Sequence, residues 1–323
     1  LNLSQFEDLQ PRLVAAGTNY KVTNSNRNNC ENPDTPTNCV WTDQGASQGT
    51  KVFYNADTVD LLDQGSERLD YIDEVDNQRY VAWGSFRQKS SKKMFLFANT
   101  HIEPRSDIPE YHALKIRQSQ RIVDLMKEKN TTGLPVFIVG DMNANKYTAI
   151  SNAPYDTYVK AGYVDPLGND YDSTYPSGKA TVEKRINAEY NSFNGFVRTM
   201  KKDSTPGANG KHLDYIFSTP MRVAEWEMVL NKDGDDLVGV IPADHNMIME
   251  TVQLPAAVSP FVAKAGLLNG SFGAVTGKEI FNTTGGYQRY EKGFVLWSPA
   301  TGAHVSSGPI RSEFARRGYE TGI

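Results

Sequence analysis

Four short segments place carboxylates, imidazoles and amides where a strand gives way to a loop. Asn99-Thr100-His101 closes the apolar run 94–98, and Gly140-Asp141-Met142-Asn143 directly follows the apolar run 136–139. In His212-Leu213-Asp214-Tyr215-Ile216-Phe217 a carboxylate interrupts a strand pattern, and Asp244-His245 precedes the apolar run 247–249. Groups of these types suit phosphodiester hydrolysis. A hard divalent cation takes oxygen ligands and neutralises phosphate charge. A carboxylate orients or deprotonates an in-line water, and imidazole or amide donors stabilise the charge that develops. Each segment alone says little, because Gly-Asp after a strand is often only a turn and a single His is more often structural. An Asp inside a strand is rarer, since an unpaired buried carboxylate is costly.

The elements that must position these groups are legible in outline. Short apolar or alternating runs at 52–54, 94–100, 136–139, 213–217 and 246–252, bounded by turn residues, read as strands. Between the second and third, a helix is expected. Ser106 or Asp107 can cap it, Pro109 fits its first turn, and Tyr111, Leu114, Ile122 and Leu125 keep near-helical spacing. Lys127 and Lys129 suit its C-terminal end, with Gly133 beyond. The segment 86–97 contains apolar residues but reads as strand rather than as a lipid-inserting hairpin. Residues 1–254 thus form one α/β domain, 255–260 a Pro- and Ala-containing linker, and 261–323 a small module rich in Gly and aromatics.

A length of 323 residues fits one large domain plus an appendage. No stretch approaches the roughly 18 apolar residues of a membrane span. A net charge of −4 argues against coating nucleic acid by bulk charge but leaves room for gripping a few phosphates locally. The segment 179–211 reads as a basic loop, with Lys179, Lys184, Arg185, Arg198, Lys201, Lys202 and Lys211, and it runs into the strand carrying Asp214. The segment 57–76 is acidic and reads as a solvated face. Cys30 and Cys39 sit in a polar loop without a nearby His; a local disulfide is expected, which favours export, the alternative being two unpaired thiols.

Taken as an ordered set, the four segments resemble the endonuclease/exonuclease/phosphatase superfamily, and Ser192-Phe193-Asn194-Gly195-Phe196 resembles its Thr-Phe-x-Gly-Phe element. The resemblance implies a four-layer α/β/β/α sandwich of two mixed sheets. It implies that Asp141 orients and deprotonates the attacking water while Asn143 donates to a phosphate oxygen. Asp244, with Asp141, would hold the metal: Mg²⁺, or Mn²⁺ or Ca²⁺. His245 would contact phosphate with Asp214 fixing its tautomer and charge, and His101 would protonate the leaving oxygen or bind phosphate. His101, Asp141, Asn143, Asp214, Asp244 and His245 should therefore converge on one cleft. Two family features are not found in this chain: an Asn on the first strand, and the Gln-Glu whose Glu ligates metal. Residues 1–20 resemble the helix that follows that Glu, so a neighbouring strand is expected to lack a partner, and Glu7 is a candidate stand-in for the missing ligand. Of the other histidines, His112, His212 and His304 are expected to be structural.

Residues 286–299, 301–305 and 308–310 resemble one LGFP repeat, a unit of exported, envelope-associated proteins, with Phe272-Gly273 at the Leu-Gly signature and 311–323 like the opening of a second. The resulting expectation is a secreted, metal-dependent nuclease cleaving DNA or RNA, with Asn143, Lys201 and Lys202 contacting substrate and the C-terminal module tethered to wall glycan. Two alternatives stand beside it. One is a phospholipid or inositol-phosphate phosphodiesterase or phosphatase, and the other is an inactive envelope-binding fragment.

Overall fold

In the computed structural model, residues 5–24, 49–72, 78–147, 152–170, 179–255, 260–268, 270–281, 285–298, 301–308, 312–313 and 316 are described. Cys30 and Cys39, and with them the expected disulfide, lie outside the described residues. The chain divides into two compact units, 1–126 with 135–255 and 127–134 with 256–323.

The first unit opens with helix α1 (Gln5–Ala15) and the antiparallel pair β1 (Tyr20–Val22) and β2 (Phe53–Asn55). A mixed five-stranded sheet follows. It contains β3 (Val59–Arg68), β4 (Tyr80–Gln88), β5 (Met94–His101), β6 (Val136–Asp141) and, beyond β7 (Val182–Ile186), β8 (Asp214–Ser218), in the order β3-β4-β5-β6-β8. Only the β5–β6 pair is parallel. A parallel pair needs a crossover, and α2 (Pro109–Lys129) supplies it, burying Tyr111, Leu114, Ile122 and Leu125. α3 (Ala153–Lys160) precedes β7. A second mixed sheet has the order β12-β9-β7, built from β9 (Arg222–Val229) and β12 (Met247–Gln253), with the short pair β10 (Lys232–Asp233) and β11 (Asp236–Leu237) between them in sequence. Its core includes Val182, Tyr190, Val223, Trp226 and Met228.

Period-2 alternation on β5 turns Leu96, Ala98 and Thr100 to a buried face, and Phe95, Phe97, Asn99 and His101 to a half-buried one. Phe95, Phe97, Phe137 and Ile216 of the first sheet and Ile248 and Val252 of the second line one cleft of about 390 Å³, which also holds Glu250. Burial pushes the Glu250 carboxyl up to about 9, and neither of its oxygens finds a hydrogen-bond partner among the described residues. β12 is an edge strand whose outer side pairs with no described strand, with Met247 and Met249 exposed.

Several boundaries and readings change. The strand expected at 136–139 runs on to Asp141, so the carboxylate belongs to the sheet. The acidic segment 57–76 contains β3, whose exposed residues suit a sheet edge where charge blocks further pairing. The basic segment read as loop contains β7. Residues 86–97 are not one strand but the end of β4, a turn and the start of β5, with Phe86 buried and stacked on Phe95 at 5.5 Å.

The second unit pairs α4 (Pro260–Leu267) with an antiparallel sheet of β13 (Ile280–Phe281), β14 (Gly286–Tyr290), β15 (Gly293–Ser298) and β16 (Gly302–Ser306). Phe261, Phe272, Tyr290, Val295 and Ala303 form its small core. Among the described residues no helix is long and apolar enough to cross a membrane.

Candidate active site

Sheet register builds the site. β5 pairs with β6 so that His101 faces Asp141, and β6 pairs with β8 so that Asp141 faces Asp214. Three reactive side chains therefore stand in one row across adjacent strand ends. Close approach of β5 and β6 depends on Gly140, whose φ is 135°; a Cβ there would lie 1.9 Å from the Thr100 carbonyl oxygen. Just beyond, Asn143 adopts φ 44°, a region Asn tolerates better than most residues. Its backbone N–H donates to Asp141 Oδ1 at 2.8 Å and its Nδ2 to the Ile102 carbonyl at 3.1 Å. The buried Lys115 amine donates to the carbonyls of Asn143 and Pro104 and to Ser106 Oγ, fixing the turn from below.

His245 arrives on the segment leading into β12. Ser192 accepts from Asn246 N at 2.7 Å through its carbonyl and from Leu213 N at 2.8 Å through Oγ, so one residue ties the Asp214 strand to the His245 segment. That gives the 192–196 motif a positioning role. His245 Nδ1 donates to Asp214 Oδ2 at 2.7 Å, while its Nε2 lies 3.7 Å from Asp141 Oδ2. His101 Nε2 approaches the same Asp141 oxygen at 3.5 Å.

Electrostatics separate these groups. The hydrogen bond from His245 to Asp214 raises the imidazole to about 9 against the opposing effect of burial. Burial lowers His101 to about 4, with the positive charge of Arg79 adding to the effect. Asp141 is pushed up to about 6, by burial first and by the neighbouring Asp214 second. The donor atoms of Asp141, Asp214 and His245 lie within 4.8 Å of one another. The two carboxylates suit a hard dication, and such an ion would relieve the Asp214 charge that adds to burial in raising Asp141. The cluster includes Asp141 but not Asp244, whose side chain is exposed and whose carbonyl accepts from Asn194 N and Gly195 N. Glu7 lies on α1, where its charge acts on the buried Lys51 amine, and it does not join the cluster.

The remaining candidates divide. His212 is buried, with Nε2 at 3.0 and 3.1 Å from the carbonyls of Ala188 and Tyr190, and its ring stacks on Trp226 at 5.1 Å. His304 binds the Thr301 carbonyl, and His112 lies on α2. Lys202 pairs with Asp235 at 2.5 Å, whereas Lys201 is exposed. Lys184 pairs with Glu225, and Arg198 donates to the Leu237 and Gly239 carbonyls.

Sequence reading missed Arg79. It is 3% exposed, and its Nε and Nη1 are buried without hydrogen-bond partners among the described residues. Asp141 and Glu103 both act on its charge. Unmade donors on a buried cation are costly. The only available signal was its place just before β4, the strand antiparallel to the one ending in His101.

Comparison with known proteins supports this architecture. An LGFP repeat model matches residues 272–322. An endonuclease/exonuclease/phosphatase family protein from Bacteroides thetaiotaomicron superposes with a TM-score of 0.51 at 18% identity, covering 76% of this chain and 75% of that one. The endonuclease/exonuclease/phosphatase from Bacteroides vulgatus superposes with a TM-score of 0.51 at 19% identity, covering 78% and 81%. No match to the chain was found among curated proteins. The larger part of the chain has the endonuclease/exonuclease/phosphatase fold, and an LGFP repeat follows it.

Proposed function

We propose that the site hydrolyses a phosphodiester by in-line attack of water. The carrying observation is the convergence of His101, Asp141, Asp214 and His245 from four separate chain segments on one row of strand ends. Asp141 accepts a proton from the water as its oxygen bonds to phosphorus. The ester P–O bond breaks on the opposite side, and the departing oxygen takes a proton from imidazolium, giving a phosphomonoester and an alcohol. His245, held protonated by Asp214, is the imidazolium available for this at neutral pH. His101, neutral there, acts as an N–H donor to phosphate rather than as the acid. Arg79 and Asn143 supply further donors. Asp141 and Asp214 would hold a divalent cation, with exposed Asp244 beside them. When bound, Mg²⁺, Mn²⁺ or Ca²⁺ would neutralise phosphate charge.

A nucleic-acid substrate draws support from the exposed Lys201 and Lys211 on the segment entering β8. The LGFP match favours secretion and attachment to wall glycan through the second unit. The test is direct. The chain is incubated with bis(4-nitrophenyl) phosphate, plasmid, RNA and a lipid phosphodiester, with and without EDTA. Hydrolysis of at least one, lost with EDTA and in Asp141→Asn, is expected. Inertness toward all of them, or full activity of Asp141→Asn, overturns the reading.

A further inference from the structure

His245 stands just upstream of β12, whose ladder with β9 begins only at Met247. Asp214 belongs to the first sheet and β12 to the second, so no strand pairing joins the two residues. The loop 191–195 joins them instead, because it bonds to both sides. On the Asp214 side, Lys211 N donates to Asn191 Oδ1 at 2.9 Å and Leu213 N to Ser192 Oγ at 2.8 Å. On the His245 side, Asn194 N and Gly195 N donate to the Asp244 carbonyl at 2.8 and 3.0 Å, and Asn246 N donates to the Ser192 carbonyl at 2.7 Å. The loop is a spacer that fixes how far apart the two partners stand.

Asn246 closes this spacer. It is 8% exposed, and both ends of its amide are used. Its Nδ2 donates to the Asn191 carbonyl at 2.9 Å, and its Oδ1 accepts from Asn194 Nδ2 at 2.9 Å. Asn194 Nδ2 also donates to the Ala243 carbonyl at 3.2 Å, while Asn194 Oδ1 accepts from Phe196 N at 2.8 Å. One side-chain amide thus grips the loop at two points, and its partner amide grips the chain on either side of His245.

This interlock bears directly on the imidazole. An isolated antiparallel bridge pairs His245 with Phe193, and neighbouring side chains in such backbone leave opposite faces. His245 is turned toward Asp214, where Nδ1 lies 2.7 Å from Oδ2, and Asn246 is turned into the loop. A charge-assisted hydrogen bond of that length weakens steeply with distance and angle, so it needs a stiff support.

We propose that Asn246, interlocked with Asn194, is a positioning residue that sets the imidazole of His245 against Asp214. The kinetic consequence rests on the phosphodiester reading, and the geometric one does not. Asn246 acts through His245, so its loss slows the chemical step and leaves affinity for the diester nearly unchanged.

Two readouts on the full chain test it. Proton NMR of the native chain is expected to show a slowly exchanging His245 Nδ1–H resonance far downfield, assigned by its loss in Asp214→Asn. Asn246→Ala is expected to abolish it. With bis(4-nitrophenyl) phosphate, that variant is expected to lose about tenfold or more in kcat while KM changes by less than about twofold. Asn194→Ala, at a half-buried position, is expected to act in the same direction, and the double variant to cost no more than Asn246→Ala alone. A residue that merely braces the fold would lower the melting temperature and leave the resonance in place. That result overturns the proposal, as does an unchanged kcat or a native chain without the resonance. If Asn246→Ala fails to fold, Asn194→Ala decides by the same two readouts. If the native chain hydrolyses no diester, the phosphodiester reading fails and the resonance alone decides the positioning role: its loss supports the role, and its persistence overturns it.

Discussion

His101 and His245 stand on either side of Asp141, 3.5 and 3.7 Å from the same carboxylate oxygen, yet their surroundings drive them apart. His245 has a carboxylate of its own, Asp214, at 2.7 Å and is raised to about 9. His101 has burial and the sealed Arg79 guanidinium, and is lowered to about 4. The same side chain therefore offers a charged donor on one flank and a neutral one on the other. Asymmetry of this kind assigns roles that residue type alone cannot.

Removing His245 should break the contrast most severely. In His245→Ala, turnover of a soluble phosphodiester is expected to fall about 10³-fold, with the melting temperature little changed. Initial rates and a thermal melt check this, and near-native turnover would mean the flank is misassigned. Asp214→Asn should cost about 10²-fold, because the imidazole loses the partner that orients and charges it. NMR titration of His245 should then show its pKa fall from about 9 toward the ordinary value. An unmoved pKa would place the cause elsewhere.

The opposite flank is sharpened through Arg79. Replacing it with Gln should reduce kcat/KM by about ten- to a hundredfold if it binds phosphate. The same change should raise the His101 pKa, since a repelling charge is gone. A rate loss without that rise would make Arg79 a packing residue only.

The smallest effect isolates burial. Glu250 has its folded-state pKa raised to about 9, so in the folded chain its carboxyl stays protonated far above the ordinary carboxylate range. Its contribution is intact below its unfolded value of about 4.5 and is lost as pH rises toward 9. Glu250→Gln imitates the protonated form. It should match the native chain near pH 4 and exceed its stability by about 1–2 kcal/mol near pH 8, read by urea denaturation at both values. An equal gain at the two pH values would show that ionisation is not the cause.

The strands bearing Asn99, Asp141 and Asp214 were legible because apolar runs end in polar groups, a pattern carried by local sequence. Their mutual register was not, since which strand pairs with which is settled by long-range packing. β3 was hidden because an edge strand can carry charge on both faces, and β4 because residues buried on both faces show no alternation. The pairing of His245 with Asp214 followed from resemblance. Arg79 did not, because what marks it is the absence of a partner among the described residues, which only three dimensions reveal. The basic segment misled in the reverse way: several of its cations, counted as free charge, are spent on Glu225, Asp235 and backbone carbonyls.

Gly140 gives the protein a fault line that touches none of its candidate reactive groups. One methyl group, in Gly140→Ala, would push against the Thr100 carbonyl and pry apart the strand ends carrying His101 and Asp141. Every reactive side chain would survive, misaligned. Such a variant would retain its ligands while losing speed, which makes it the natural tool for trapping a substrate intact. In a saturation library the position should tolerate glycine alone, a signature of alignment that could be read from survival counts without any assay of the reaction.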